Sequence, residues 1–170
     1  MREINLISDR IVKQLLAAGD AAGENHTPVA PNEAEAVDHT TRPVLMERAA
    51  YLKQMARASE GSASEILREY PRHNIQLSVR LRSGSAELHE RFADIFFILD
   101  GRATLVTGGT IVKPLSAGAG EVRGTMIEGG DRQELRAGDV AHIAAGTPHQ
   151  ILLAGDATFT AMVIKVQEGD

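Results

Sequence analysis

The second half of the chain consists of short segments in which apolar and polar residues alternate, separated by turns that contain glycine. In one segment Ile75, Leu77 and Val79 fall on one side of an extended chain. This period of two is typical of β-strands that bury one face. We predict about ten strands, at residues 74–82, 85–89, 94–99, 103–107, 110–113, 122–127, 133–135, 140–143, 149–153 and 158–166.

Many short strands joined by glycine turns indicate an all-β sandwich or barrel, since such folds close or cover the edges of their sheets. The barrel domain is expected to span residues 71–170. Asp100 and Gly101 form a dipeptide typical of hairpin turns, and we predict a turn there. Only 4% of the residues are aromatic, so the core must be mostly aliphatic.

The composition argues against several classes of function. A net charge of −5 disfavours a nucleic-acid partner, because phosphate binding needs a basic surface. The chain has no cysteine, which excludes disulfides and thiolate metal sites. No apolar run is long enough to suggest a membrane span. The first residues lack the apolar segment of a signal peptide, so a cytoplasmic location is the default expectation unless a leader has been removed.

Residues 1–70 are predicted to form a helical extension with an irregular arm. Residues 6–18 and 44–58 have the apolar periodicity of amphipathic helices. Residues 20–43 contain three prolines and many small residues, which predicts irregular structure. These segments carry no catalytic motif, so we expect them to serve packing or oligomer formation.

A further short helix is predicted after this extension. Ser62 and Glu65 match a capping box ahead of two apolar residues, and the helix should end before Pro71. The strand at residues 94–99 is apolar on both faces and therefore needs a second covering surface, such as the helices or another subunit. Together with the helical arm, this pattern predicts a homodimer.

Four ionisable residues define the candidate site. Glu87 and His89 are two residues apart and share a strand face, Asp94 opens the next strand, and His149 opens a later one. If these strands are neighbours, the imidazole and carboxylate groups converge. Such a set suits a divalent metal ion, namely Mn, Fe, Ni or Zn.

Other charged residues near these strands leave alternatives open. The cluster could instead be a metal-free network of hydrogen bonds completed by Arg80 or Arg123. Arg123 either holds a substrate carboxylate or pairs with Glu121, two residues before it, or with Glu87. His142 is either a catalytic acid or base that lines the same cavity or a half-buried strand residue.

Two stretches resemble the two sequence motifs of the cupin superfamily. In the first stretch Gly101 matches the closing glycine of the motif, and Asp94 stands at its glutamate position. His89 then falls on the second histidine and Glu87 on the first. The leading glycine of the motif is missing or shifted to Gly84.

The second stretch matches its motif in register at Gly138, Gly146 and His149, while Ala144 replaces the proline and Leu153 the asparagine. The resemblance covers roughly residues 74–166. It implies a double-stranded β-helix, or jelly-roll, barrel with N-terminal α-helices.

The resemblance also implies a metal centre, with departures from the family pattern. The family site has three histidines and one glutamate, whereas this chain would supply Glu87, His89, Asp94 and His149. Such a site predicts an isomerase, lyase or dioxygenase acting on a small polar molecule through a bound metal ion. The alternative is a non-catalytic module that binds a sugar or an organic acid.

Overall fold

A computed structural model of the protein describes residues 38–168 of the 170 in the chain. This part of the chain contains one helix and twelve strands. Their bounds are α1 (Arg42–Ala58), β1 (Ser62–Glu69), β2 (His73–Arg80), β3 (Ala86–His89), β4 (Phe92–Thr107), β5 (Thr110–Val112), β6 (Leu115–Gly118), β7 (Glu121–Gly124), β8 (Met126–Glu128), β9 (Asp131–Arg136), β10 (Val140–Ile143), β11 (His149–Leu152) and β12 (Phe159–Gln167). The helix predicted at residues 6–18 and most of the arm at 20–43 lie outside the described residues.

The strands form two antiparallel sheets that share the long strand β4. Sheet A has the order β1, β2, β12, first half of β4, β10. Sheet B has the order β9, second half of β4, β11, β3, β7, β6. A separate pair is formed by β5 and β8. This topology confirms the predicted jelly-roll barrel.

The turn predicted at Asp100 and Gly101 is wrong, because β4 continues through both residues. Gly101 has φ 82°, and a Cβ at this position would collide with the carbonyl oxygen of Thr158. The pairing register with β12 also shifts beside it, between Thr160 and Ala161. The glycine therefore lets β4 bend and pass from sheet A to sheet B, which is a frequent use of glycine within a strand.

The main core lies between the inner faces of the two sheets. It is largely aliphatic, as the low aromatic content predicts. Its buried residues are Phe96, Ile98, Ala103, Leu105, Leu135, Ile143, Ile151, Phe159, Ala161 and Val163. These side chains fill one end of the barrel, so polar side chains on the same strands are confined to the other end.

The helix predicted at residues 44–58 is confirmed as α1, and it covers part of the outer face of sheet A. Its buried residues Ala49 and Leu52 pack with Leu77 and Val79 of β2. Leu99, on the outer face of β4, packs against the same cluster. The helix thus provides part of the second surface that β4 requires. Within residues 38–168, no helix has the length and apolar character needed to cross a membrane.

The short helix predicted from Ser62 is wrong, since Ser62–Glu69 is strand β1 and pairs with β2. Glu65 does not cap a helix but forms an ion pair with Arg48 of α1. Ala63 and Leu67 pack into the cluster beneath α1. Backbone pairing and this packing outweigh the local capping pattern, because local propensity contributes little against tertiary contacts. The sheet therefore begins at Ser62, before residue 71.

Candidate functional site

Three adjacent strands of sheet B present one wall of the site. β3 lies between β11 and β7, and its residue Glu87 pairs directly with His149 on one side and with Arg123 on the other. His89 pairs with Glu121 of β7. Residues that pair directly on neighbouring strands point to the same face of a sheet. The strand register therefore places all five side chains on one face.

Sheet A presents the opposite wall through Asp94 of β4 and Lys165 of β12. These two residues are direct partners in the antiparallel register. The Lys165 Nζ donates a hydrogen bond to Asp94 Oδ1 over 2.8 Å. Asp94 is only 3% exposed, so its charge needs this kind of partner.

The two walls meet at the imidazole rings. The Nε2 atoms of His89 and His149 lie 3.4 and 3.5 Å from Asp94 Oδ2, and His89 Nε2 lies 3.7 Å from Glu87 Oε2. The structure thus brings together the four residues proposed as metal ligands from the sequence. Ligand atoms about 2.1 Å from one ion lie roughly 3 to 3.5 Å apart. Glu87, His89 and His149 also offer ligand atoms that all lie within 4.8 Å of one another, so the donor set fits a divalent ion.

Hydrogen bonds orient both imidazoles with Nε2 towards the centre. His89 Nδ1 lies 2.6 Å from Glu121 Oε2, and His149 Nδ1 lies 3.0 Å from the carbonyl oxygen of Thr147. Both partners are acceptors, so each Nδ1 carries a proton and donates it. A neutral ring then has its lone pair on Nε2, which is the tautomer that a metal ligand requires.

Arginine side chains balance the carboxylates of the cluster. Glu87 Oε1 lies 2.5 Å from Arg123 Nη1 and 3.6 Å from Arg80 Nη2, and Arg123 also lies 3.6 Å from Glu121. With Asp94 and Lys165, the cluster contains three carboxylates and three cations. The ion pairs considered from the sequence for Arg123 are therefore both present, and they coexist with the metal-ligand geometry.

Sequence reasoning missed Lys165 as a site residue. Its Nζ lies 2.8 Å from both Asp94 Oδ1 and His89 Nε2. The signal was available in the alternation of β12, where Phe159, Ala161 and Val163 precede Lys165 on one face. A charged residue that ends an inward apolar row is a candidate for the interior of a barrel.

The pKa values of two groups are shifted by this environment. Burial raises the pKa of Asp94, but the adjacent imidazoles of His149 and His89 and the ammonium group of Lys165 outweigh burial and hold it well below its usual range. Burial and the charge of Lys165 lower the pKa of His89, yet the carboxylates of Asp94 and Glu121, both of which can accept from the charged form of the ring, leave it above its ordinary value. Asp94 is therefore the fixed negative charge of the centre.

The structure does not bring His142 to this cluster. It pairs with Ile95, the residue next to Asp94, so it lies on the opposite face of sheet A. Its side chain is 56% exposed and lies 4.0 Å from Glu168. The catalytic role considered for His142 in the sequence has no geometric support, whereas Arg123 lies at the rim of the cluster.

Space inside the barrel next to the cluster is small. A cavity of about 10 Å³ is bordered by Arg80, Glu87 and His149 on its polar side and by Phe96 and Ile151 on its apolar side. This volume accommodates roughly one water molecule or one ion. A larger ligand does not fit in this cavity.

Several solved structures are similar to this chain. A protein from Thermus thermophilus has 18% identity and a TM-score of 0.49, over 69% of this chain and 95% of that one. A cupin superfamily protein from Desulfitobacterium hafniense has 20% identity and a TM-score of 0.46, over 65% and 81%. A predicted oxalate decarboxylase from Thermotoga maritima has 15% identity and a TM-score of 0.47, over 62% and 80%. No protein-family model and no curated protein matches the sequence.

The described residues form a jelly-roll barrel, in which the two motif-like stretches meet across the interior. The first stretch supplies Glu87, His89 and Asp94 from β3 and β4, and the second supplies His149 from β11. The barrel fold that the resemblance implies is thus present in the described residues. The site on this fold is a His and carboxylate cluster that could hold a metal ion.

Proposed function

We propose that the protein is a cupin-type metal-binding protein that acts on a small polar molecule. The observation that carries this proposal is the convergence of His89 Nε2 and His149 Nε2 on Asp94 Oδ2, at 3.4 and 3.5 Å. Glu87 completes the donor set. Mixed nitrogen and oxygen ligands suit Mn, Fe, Ni or Zn.

The residues of the chain have distinct roles in this proposal. Glu121 and the Thr147 carbonyl orient the two imidazoles through their Nδ1 atoms. Arg123 lies at the rim and orients an anionic group of the substrate. A bound divalent ion supplies Lewis-acid chemistry, which serves isomerases, lyases and dioxygenases alike. His142 is not part of this proposal, because it faces away from the cluster.

Metal content and a pair of histidine variants test the proposal. Purified protein, stripped and then titrated with Mn²⁺, Ni²⁺ or Zn²⁺, is expected to bind one equivalent by calorimetry and elemental analysis. His149→Ala should weaken binding by roughly tenfold or more, since it removes a direct ligand. His142→Ala is the matched control and should bind as the wild type does. Failure of the wild-type protein to bind any of these ions would refute the proposal.

A second candidate function is metal-free binding of a small organic acid or sugar. It is favoured by the charge balance of the cluster, in which Arg80, Arg123 and Lys165 already neutralise three carboxylates. Thermal shifts with small carboxylic acids and sugars, recorded with and without metal ions, distinguish the two functions. Stabilisation that needs no metal supports the binding module.

We also propose that two copies of the chain associate through the outer face of sheet A. Ile95 pairs with Ile164, and Phe97 with Met162, on the face that also carries Val140. Val140 is 59% exposed, and burial of such a surface favours association. Sedimentation at micromolar concentration should show a dimer. Val140→Asp should give a monomer, while Leu115→Asp, on β6 of the other sheet, should not.

A further inference from the structure

Lys165 lies at the centre of the proposed metal site. Its partners in the sheet register are Asp94 of β4 and Asn74 of β2, so its side chain starts from the inner face of sheet A. The Nζ reaches Asp94 Oδ1 and His89 Nε2, each at 2.8 Å. The ammonium group therefore bridges an oxygen and a nitrogen of the proposed ligand residues.

The contact with His89 has a chemical consequence for metal binding. An imidazole nitrogen without a proton has one lone pair, which can accept a hydrogen bond or bind a metal ion but cannot do both. The other nitrogen of His89, Nδ1, is already engaged with Glu121. As long as Lys165 donates a hydrogen bond to Nε2, His89 has no free nitrogen lone pair with which to bind a metal ion.

The positive charge of Lys165 also opposes the binding of a metal ion beside it. The carboxylates of Glu87, Asp94 and Glu121 are balanced by Arg80, Arg123 and Lys165. A divalent ion added beside an ammonium group within a few ångströms meets strong repulsion in a poorly hydrated interior. The same ion would replace the ammonium favourably if the lysine moved away, since Asp94 would keep a positive partner.

We propose that Lys165 is a built-in competitor for the metal ion, so that its ammonium group and a divalent cation occupy the centre in turn. The inference rests on the proposed metal-binding function and adds its regulation. Lysine suits this role because its charge sits on a flexible stem of four carbons, which allows the head group to move to solvent. The side chain is 22% exposed, so a path to the rim exists.

Metal titration of lysine variants tests the competition directly. Lys165→Met keeps the length of the stem and removes the charge, and it should bind Zn²⁺ at least about tenfold more tightly than the wild type. The gain is expected because the apparent dissociation constant falls as the fraction of molecules with a free site rises. Lys53→Met, on α1, makes the same change in net charge away from the site and should bind as the wild type does. Lys165→Gln serves as a second neutral variant.

The outcomes distinguish failure of the Lys165 competition from failure of the proposed metal-binding function. Tighter binding by the neutral variants supports competition. Equal or weaker binding by folded Lys165→Met and Lys165→Gln overturns the competition but leaves the metal site intact. Absence of Zn²⁺ binding in the wild type and in both variants overturns the proposed function as well.

A measurement on the wild-type protein gives an independent check that needs no variant. Acetylation of the Lys165 amine by acetic anhydride, followed by peptide mass spectrometry, should become faster when Zn²⁺ saturates the protein, because the amine is released from Asp94 and His89. Acetylation of Lys53 provides the internal reference and should keep its rate. If acetylation of Lys165 in the Zn²⁺-bound protein is unchanged or slower, the result contradicts the replacement of the ammonium group by the metal ion.

Discussion

The two ends of the barrel interior are lined by the same strands but by opposite chemistry. Along β4 the inward residues change from Asp94 to Phe96, and along β12 they change from Lys165 to Val163. In each strand the two residues are two positions apart, so they are neighbours on the inner face of the sheet. One end is thus a buried and mostly aliphatic core, while the other is a cluster of charges and imidazoles.

This difference separates the source of stability from the candidate site. Each apolar side chain in the core stabilises the fold by leaving water. Buried charges at the other end carry a desolvation cost that pairing only offsets. If stability were the only requirement, apolar residues would be favoured at both ends of the barrel interior. The charged residues at one end therefore indicate a candidate site.

The largest effect on stability is expected at the apolar end. Leu105→Ala removes a buried side chain that packs between the two sheets. The free energy of unfolding should fall by about 4 kcal/mol, measured by urea denaturation, because transfer and cavity terms add. The matched control is Leu115→Ala on β6, where the side chain is 73% exposed and the change should be within about 0.5 kcal/mol. Equal losses in the two variants would contradict the proposed source of stability.

A smaller loss of stability is expected for Asp94→Asn at the ionisable end. This change leaves the Lys165 ammonium without its anion and should cost about 3 kcal/mol at pH 7, as breaking a buried pair does. Adding Lys165→Met to the variant should restore part of the loss, since no charge is then left alone. A double-mutant cycle by urea denaturation measures this coupling, and additive losses would show that the pair does not act as a unit.

The sequence is sufficient to predict most of the fold because strand alternation is a local signal. The turn predicted at Gly101 is wrong, because the conformation there depends on β12, which passes beside the strand, and not on the Asp-Gly dipeptide itself. The short helix predicted from the capping pattern of Ser62 and Glu65 is also wrong, because pairing with β2 outweighs that local pattern. Both errors arise from contacts between segments distant in the sequence.

The same limit applies to the candidate site. Glu87, His89 and His149 could be identified because their spacing and the neighbouring glycines are local features. Lys165 was missed because its partner Asp94 lies 71 residues away, and only the register of β12 against β4 brings them together. The position of His142 depends on register too, since a shift of one residue moves a side chain to the other face.

The acid dependence of stability provides a sharper test of Asp94. Its pKa is lowered in the folded protein, so the stability it contributes is present above about pH 4, the ordinary carboxyl value, and is lost as the pH falls below it. The difference in unfolding free energy between the wild type and Asp94→Asn should therefore shrink as the pH falls from 5 towards 3. Urea denaturation at each pH measures it. A difference that remains constant down to pH 3 would show that the Asp94 pKa is not lowered.

The smallest effect on stability is expected for Arg123, at the rim of the ionisable end. Its side chain is 43% exposed, and Glu87 keeps Arg80 as a partner when Arg123 is removed. Arg123→Ala should therefore change the unfolding free energy by less than about 1 kcal/mol, because solvent screens exposed ion pairs. If Arg123 orients an anionic substrate, the same variant should bind small carboxylic acids much more weakly in calorimetry, while Zn²⁺ binding persists. Arg102→Ala, on the second half of β4, is the control and should keep acid binding. A large loss of stability without loss of acid binding would place Arg123 with the structural residues of the barrel.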